Sequence, residues 1–257
     1  MENLVLAELA NLTEERQIRV LYACELGARA WGASSKDTDF EVRFIYLHST
    51  NWYLSIQDRK DTIETFTHTP NGEEIELIGW DIRKMLNLIA KSYPLAFECL
   101  QSPMIYTRET DFVIDINKLA PQYFNLRHSL SHYLGIARSI LQQDLKATHP
   151  LLRKYLYAIR SLLAAIWIAE KQTIPPLEIE KLCYVIQEAD ILNLVRQLLA
   201  QKRNGQDNQT IEKNPELNAY LEKQIVAYEA FVPSLVRTDN VQIEPLNELF
   251  RKVIHNA

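Results

Sequence analysis

The stretch Val20–Leu47, VLYACELGARAWGASSKDTDFEVRFIYL, decides the fold of this chain. It contains two apolar runs of the kind that form β-strands, over 19–24 and 39–47. A polar, turn-forming segment that includes Gly27 and Gly32 separates them. The stretch therefore predicts two strands joined through a glycine turn.

Charged and apolar side chains alternate along the second of these strands. Because strand side chains point to opposite faces with period two, Asp39, Glu41 and Arg43 share one face. Glu76 lies in a later strand-forming run that could pair alongside. Three convergent acids of this kind can bind Mg²⁺, neutralise a triphosphate and activate an attacking hydroxyl. The alternative is that the acids coat the solvent-exposed face of a half-covered sheet.

The glycine segment GARAWG, residues 27–32, is a second candidate for phosphate binding. Backbone N–H groups in such a turn can approach a phosphate closely. Arg29 either clamps that phosphate or pairs with Glu25 or Asp37, and the sequence leaves both interpretations open. The default role of Asp37 in a turn is to bind the local backbone.

The first 110 residues mix helix and strand signals. The turn sequence Pro70-Asn71-Gly72 predicts a hairpin, and Asp81 is placed to cap a helix. The predicted elements are a helix over 3–16, strands over 19–24, 39–47, 62–68 and 73–78, and a helix over 82–91.

Only helical patterns follow, so the fold class is α+β: a small mixed β-sheet domain followed by an all-helical domain. Arg203–Thr210 is polar enough to predict a surface loop or linker. We place the boundary near residue 110, which gives domains over 1–110 and 111–257. The predicted helices cover 120–146, 151–170, 177–189, 191–202, 215–231 and 245–255.

One of these helices carries a cationic and aromatic face. Arg153, Tyr157 and Arg160 share that face by helical spacing, and Lys154 lies beside them. Such a face suits the binding of a triphosphate and a base. The alternative is an ordinary solvated helix face.

Composition limits the function classes. The net charge of -5 and the pI near 5.7 argue against a chain that is basic throughout, so any phosphate-binding surface must be local. Cys24, Cys99 and Cys183 are widely spaced, which predicts reduced thiols rather than a disulfide framework or a zinc site.

Nothing in the chain resembles a membrane or export segment. The longest apolar run, Leu162–Ala169, is shorter than the roughly 20 residues that span a bilayer. The acidic N-terminus lacks the basic start of a signal peptide. We therefore expect a cytoplasmic protein without a membrane partner.

Several segments, in order, resemble a single family. They are GARAWGASSKDTDFEVRFIY, ELIGWDIRKML, FECLQSPMIY, SHYLGIAR, and RKYLYAIRSLLAAIWI followed by Pro175-Pro176. The first is similar to the pattern Gly-Ser-Arg-Ala-x-Gly, a spacer, Ser-Asp-x-Asp and Val-Arg-Phe-Ile-Tyr. That pattern belongs to predicted nucleotidyltransferases of the DNA polymerase β superfamily, in the group associated with RNA repair. The resemblance covers residues 20–180.

The resemblance implies a palm-like nucleotidyltransferase domain over 1–110 and a helical domain over 111–257. It implies transfer of a nucleoside monophosphate from an NTP, which we expect to be ATP, with two Mg²⁺ ions. The expected acceptor is a hydroxyl of an RNA end, such as that of a tRNA, or of a protein. By position, the catalytic and metal-binding acids are Asp39, Glu41 and Glu76, and the nucleotide-binding residues are Gly27, Ala28, Arg29, Arg153, Lys154, Tyr157 and Arg160.

Three positions depart from the family pattern. Ala28 replaces a serine, which removes a hydrogen bond to phosphate of about 1.5–3 kcal/mol. Glu41 and Glu76 replace aspartates, and a carboxylate misplaced by about 1 Å can cost about 10²-fold in rate. The alternative function is a catalytically weakened relative that binds a nucleotide or a partner protein as an antitoxin-like regulator. The retained acids favour the enzyme.

Overall fold

The computed structural model describes residues 2–205, 207–235 and 242–255, which divide into two compact units. Unit 1 holds residues 2–30, 39–124 and 242–255, and unit 2 holds residues 31–38, 125–205 and 207–235. The polar spacer 31–38 thus belongs to unit 2, although the glycine turn before it and the acidic strand after it belong to unit 1. The functional assignment of domains to 1–110 and 111–257 stays a prediction.

Unit 1 is built around a five-stranded sheet with strand order β3-β4-β2-β1-β5. The strands are β1 (Arg19–Glu25), β2 (Phe40–Leu47), β3 (Thr62–His68), β4 (Glu74–Asp81) and β5 (Ile105–Arg108). β2 and β4 run parallel, and the remaining neighbours run antiparallel. The predicted mixed sheet is therefore confirmed, and so is the predicted α+β class.

The predicted hairpin joins β3 to β4. The amide of Thr69 donates to the carbonyl of Glu73 at 2.8 Å, which closes the turn. Gly72 has φ +95° in this turn, a backbone conformation that favours glycine. The turn places β4 antiparallel to β3 and beside β2.

Helices account for most of the rest of the described chain. They are α1 (Glu2–Arg16), α2 (Gly27–Ala30), α3 (Thr50–Tyr53), α4 (Ile82–Ala90), α5 (Pro94–Leu100), α6 (Thr110–Leu119), α7 (Leu126–Gln143), α8 (Leu152–Lys171), α9 (Ile179–Leu182), α10 (Ala189–Asn204), α11 (Pro215–Phe231) and α12 (Glu244–His255). Asp81 caps α4 as predicted, because its side chain accepts from the amide of Arg83. No helix within the described ranges is both long and apolar enough to cross a membrane.

Two predicted helices are wrong in their extent. The helix predicted over 120–146 is a 3₁₀ turn at Ala120–Tyr123 followed by α7, because Asn125 caps α7 through the amide of His128. The helix predicted over 177–189 is only α9 and a 3₁₀ turn at Cys183–Val185. The next residue, Ile186, is extended and buried, so packing overrides a weak helical pattern of β-branched residues.

The two faces of β2 differ in burial. Phe40, Val42 and Phe44 are buried in one apolar cluster with α1. The opposite face is half-buried at Glu41 and at Arg43, and it becomes buried near the carboxyl end of the strand. Glu41 therefore lies on the less buried face of β2, as the period-two pattern predicts.

Gly79 offers a test of the core. It pairs with Phe44 across β2 and β4, and a Cβ atom there would lie 2.3 Å from the buried Phe44 ring. We expect Gly79→Ala to lower the free energy of unfolding by about 1–3 kcal/mol through overpacking. The matched control is Gly135→Ala in α7, where a Cβ atom would have no described atom within 4 Å other than those of its chain neighbours and its own helix backbone. This control should raise stability by about 0.5–1 kcal/mol, since alanine favours a helix interior. Urea unfolding followed by circular dichroism distinguishes the two, and equal shifts in both variants would contradict the packing.

Candidate active site

The glycine turn and Glu41 are in direct contact. Gly27 begins α2 immediately after β1 and has φ +59°. A Cβ atom at this position would lie 2.0 Å from Oε1 of Glu41 and 2.4 Å from its Cδ. The amide of Leu26 also donates to the carbonyl of Glu41 at 2.8 Å. Only glycine therefore allows the carboxylate of Glu41 to lie against the turn.

Asp39 is fixed at the start of β2 by backbone contacts. Its Oδ1 accepts a hydrogen bond from the amide of Glu74 at 2.8 Å, which links it to β4. The Nε of Arg29 donates to the carbonyl oxygen of Asp39 at 3.1 Å. The guanidinium of Arg29 also lies 3.6 Å from the centre of the Phe40 ring. Arg29 thus connects α2 to the acidic end of the strand.

Glu76 lies beside Glu41 on the neighbouring parallel strand. The two residues are in register, and adjacent strands lie about 4.8 Å apart. Glu76 also forms an ion pair with Arg43, whose Nη1 lies 3.0 Å from Oε2. The side chains of Arg43 and Glu76 are only 11% and 26% exposed, so the pair is largely shielded from solvent. The prediction that the strand of Glu76 pairs alongside is confirmed.

Glu25 is a fourth carboxylate that sequence reasoning did not place in the site. It is fully buried at the end of β1, its Oε1 accepts from the amide of Glu41 at 2.7 Å, and its Oε2 accepts from the hydroxyl of Tyr106. Burial raises its pKa from 4.5 to about 7, although both hydrogen bonds and the charge of Arg29 oppose this shift. A charged residue that ends an apolar strand, directly before a glycine turn, is the signal that could have revealed it.

The raised pKa of Glu25 predicts how the stability of the protein changes with pH. Between pH 4.5 and about 7 the folded protein keeps a proton that the unfolded chain has lost, so this group lowers stability as pH rises through that window. Glu25→Gln lacks this dependence and keeps an oxygen that can accept from the amide of Glu41. Relative to the variant, the wild type should lose about 3 kcal/mol between pH 4.5 and pH 8. Urea unfolding at both pH values measures the difference, and a difference independent of pH would contradict the burial.

The chemistry of these donors suits a hard cation such as Mg²⁺, since all of them are carboxylate oxygens. Oδ1 of Asp39 accepts from the amide of Glu74, and Oε2 of Glu76 accepts from Arg43. Across the described residues, no group of three or more His, Cys, Asp or Glu side chains is arranged to hold a metal ion. The donor types therefore fit, although the side chains of the described residues do not form a three-acid set as they stand.

The predicted nucleotide-binding residues of α8 have partners within unit 2. Arg153 pairs with Asp207 at 3.0 Å, and Lys154 pairs with Asp144 at 3.2 Å. These two residues are on the solvent side of the helix, where their side chains are 47% and 36% exposed. Both cations are therefore accessible to solvent.

Tyr157 and Arg160 pack on the same tryptophan. Tyr157 stacks on Trp31 with ring centres 5.2 Å apart, and the guanidinium of Arg160 lies 4.4 Å from the Trp31 ring. Arg160 is only 2% exposed, and its Nε donates to the carbonyl of Leu177 at 3.1 Å. The interpretation of this helix face as solvated is therefore wrong at Arg160.

The spacer 31–38 is anchored by residues that the sequence did not indicate. Lys202 is 1% exposed, and its Nζ donates to Oγ of Ser35 at 3.2 Å and pairs with Asp207. Thr38 donates to Oδ1 of Asp207, and the amide of Asp207 donates to Asp37, both at 2.9 Å. The loop predicted over 203–210, of which Gln206 lies outside the described residues, therefore includes a residue that holds this spacer.

Comparison with known proteins identifies relatives. A family model described as RlaP, RNA repair pathway DNA polymerase beta family, matches residues 1–252. An uncharacterized protein from Bacillus subtilis (strain 168), YcgL, is 31% identical over 226 residues, which are 88% of this chain and 85% of that protein. A solved structure of a nucleotidyltransferase-like protein from Exiguobacterium sibiricum 255-15 aligns with a TM-score of 0.33 and 12% identity, over 96% of this chain and 79% of that one. The family match extends well beyond the 20–180 region over which the motifs are apparent.

Proposed function

The chain belongs to the RNA repair pathway DNA polymerase beta family, and on that premise we propose that it is a Mg²⁺-dependent nucleotidyltransferase. It transfers a nucleoside monophosphate from an NTP, which we take to be ATP, to a hydroxyl of an RNA end or of a protein. The observation that carries this proposal is the contact between the glycine turn and Glu41, with Glu76 in register beside it. The proposed phosphate-binding turn and these two acids thus lie close together at one end of the central strands.

The acids would have two different roles, cation binding and proton transfer. Asp39 and Glu41 would hold the cations, and Glu76 would take the proton of the attacking hydroxyl. Mg²⁺, when bound, would neutralise the phosphate charge and polarise the α-phosphate. The acceptor oxygen bonds to the α-phosphorus, and the bond to the leaving pyrophosphate breaks. Arg43 fixes Oε2 of Glu76, so the other carboxylate oxygen is the one assigned to the proton.

The turn and the cations would bind the nucleotide. The Gly27–Ala28 backbone would receive phosphate oxygens, and Arg29 would lend its charge at the end of α2. Arg153, Lys154, Tyr157 and Arg160 also remain proposed nucleotide-binding residues on the strength of the resemblance. For Arg153 and Lys154, the nucleotide would replace the carboxylates of Asp207 and Asp144.

A regulator that binds a nucleotide or a partner protein without turnover is the second candidate. Two observations favour it: Ala28 lacks the family's hydroxyl, and Glu76 is engaged by Arg43. Such a protein would bind the NTP in a metal-dependent manner and release no pyrophosphate.

The two functions are separated by incubation of the protein with Mg²⁺ and each α-labelled NTP in turn, with total RNA or with protein alone. Label that moves to a macromolecule identifies the nucleotide and the acceptor. If no label moves, equilibrium binding of the NTP with and without Mg²⁺ decides between the regulator and a protein that has no nucleotide site. Absence of both transfer and binding would overturn the proposed function.

A further inference from the structure

A pocket of unit 1, of roughly 670 Å³, lies at the other end of the sheet from the acids. It is built at the carboxyl end of β2, around Tyr46 and His48, and against the start of β3. About 16 Å of strand, at ~3.3 Å per residue, separates Tyr46 from Glu41. The pocket is therefore distinct from the candidate active site.

Stacked aromatic rings form one wall of this pocket. His48 lies flat on Trp52, with ring centres 4.0 Å apart and an interplanar angle of 12°. The ring of Tyr46 lies nearly perpendicular to that of His48, with ring centres 5.5 Å apart. The amide of His48 donates to the hydroxyl of Tyr53 at 3.1 Å, and the hydroxyl of Thr50 in α3 donates to the carbonyl of Ile254 at 2.9 Å. The backbone on both sides of the stack is thus anchored.

Cations surround the aromatic wall. Arg16, Arg59 and Lys60 line the pocket, and the guanidinium of Arg59 lies 5.3 Å from the centre of the Trp52 ring. Two acids, Asp61 and Glu64, also line the pocket, so its cations outnumber its acids by one. Each side has one member in an ion pair, Asp61 with Lys84 at 2.9 Å and Arg16 with Glu15 at 3.3 Å. Burial and the charge of Arg59 lower the pKa of His48, which favours a neutral ring in the stack at pH 7.

We propose that this pocket binds an unpaired base of a single-stranded nucleic acid, with the base stacked on Trp52 in place of the Arg59 guanidinium and the flanking phosphates at Arg16, Arg59 and Lys60. Aromatic platforms beside cations are how proteins bind single strands, because every base has a π face and every linkage carries a phosphate. The proposal does not depend on nucleotidyl transfer and can be tested without Mg²⁺ or NTP.

The test is fluorescence anisotropy of a labelled 12-nucleotide oligoadenylate with the full chain in EDTA. Trp52→Leu should weaken binding by about 5- to 150-fold, the usual loss for one stacked base. Trp167→Leu, a change of another partly exposed tryptophan, should leave binding unchanged. Equal affinity of the wild type and Trp52→Leu, or equal losses in both variants, would overturn the site.

A charge variant provides a test that does not depend on the folding of Trp52→Leu. Arg59 and Lys60 are exposed, so their replacement should leave the fold intact. Arg59→Gln combined with Lys60→Gln should lower the slope of log affinity against log salt by about 1.4, or ~0.7 per phosphate contact. The control, Lys91→Gln with Lys118→Gln, removes the same charge from exposed positions of unit 1 and should keep the slope. Equal slopes in both variants would contradict phosphate contact.

Free AMP should displace the oligomer only in large excess, and displacement at equal concentration would overturn the assignment to a single strand.

Discussion

Replacing Asp39 with alanine is expected to reduce nucleotidyl transfer by about 10³-fold or more, because the change removes a proposed cation ligand at the reacting phosphate. The fold should survive, since the side chain contributes one hydrogen bond, to the amide of Glu74, of about 0.5–1.5 kcal/mol. Transfer of α-label and the urea midpoint, measured on the same preparation, give both quantities.

A second variant at Asp39 and a control at another exposed acid separate the effect of charge from that of structure. Asp39→Asn keeps an oxygen that can accept from the amide of Glu74 but removes the negative charge, and it should be as inactive as the alanine variant. Asp111→Ala removes an exposed acid from the first turn of α6 and should retain full activity. Activity of Asp39→Asn near that of the wild type would show that the carboxylate does not bind a cation.

Replacing Gly27 with alanine is expected to lower transfer by about 10²-fold. The added Cβ atom would lie 2.0 Å from Oε1 of Glu41, so the carboxylate must move by about 1 Å or more, and misplacement of that order costs about this factor. The positive φ of Gly27 adds a stability cost of about 1–2 kcal/mol. Steady-state kinetics should show the loss mainly in kcat.

Gly72→Ala is the matched control for the backbone cost. Gly72 also has a positive φ, but a Cβ atom there meets no atom of the described residues within 4 Å. The control should therefore lose about 1–2 kcal/mol of stability and keep its rate. Equal rates in the two alanine variants would mean that the contact between Gly27 and Glu41 has no part in the reaction.

The local sequence pattern was sufficient to predict where Glu41 and Glu76 lie on the sheet. Alternation along 39–44 assigned Glu41 and Arg43 to the face opposite the apolar cluster, and the half-buried and buried positions of β2 follow that pattern. The turn at Pro70-Asn71-Gly72 predicted the hairpin that carries Glu76. These features depend on contacts between residues that are close in sequence or on strand periodicity, which the sequence reveals directly.

The environments of Glu25, Lys202 and Arg160 depend on contacts between residues that are far apart in the sequence. Glu25 is buried, and its partner Tyr106 lies 81 residues away on β5, a four-residue strand too short to stand out in the sequence. Lys202 contacts Ser35 across 167 residues, so a lysine at the end of an ordinary helix gave no sign of burial. Arg160 matched a cationic stripe, but its stack on Trp31 depends on how the spacer packs within unit 2.

The most direct test of the proposed reaction follows two labels in one NTP. With α- and γ-labelled ATP, Mg²⁺ and the acceptor found in the transfer assay, nucleotidyl transfer predicts α-label on the acceptor and γ-label in pyrophosphate. EDTA or Asp39→Ala should abolish both signals. Label from the γ-phosphate on the acceptor, or inorganic phosphate in place of pyrophosphate, would contradict nucleotidyl transfer and the role assigned to the acids of β2 and β4.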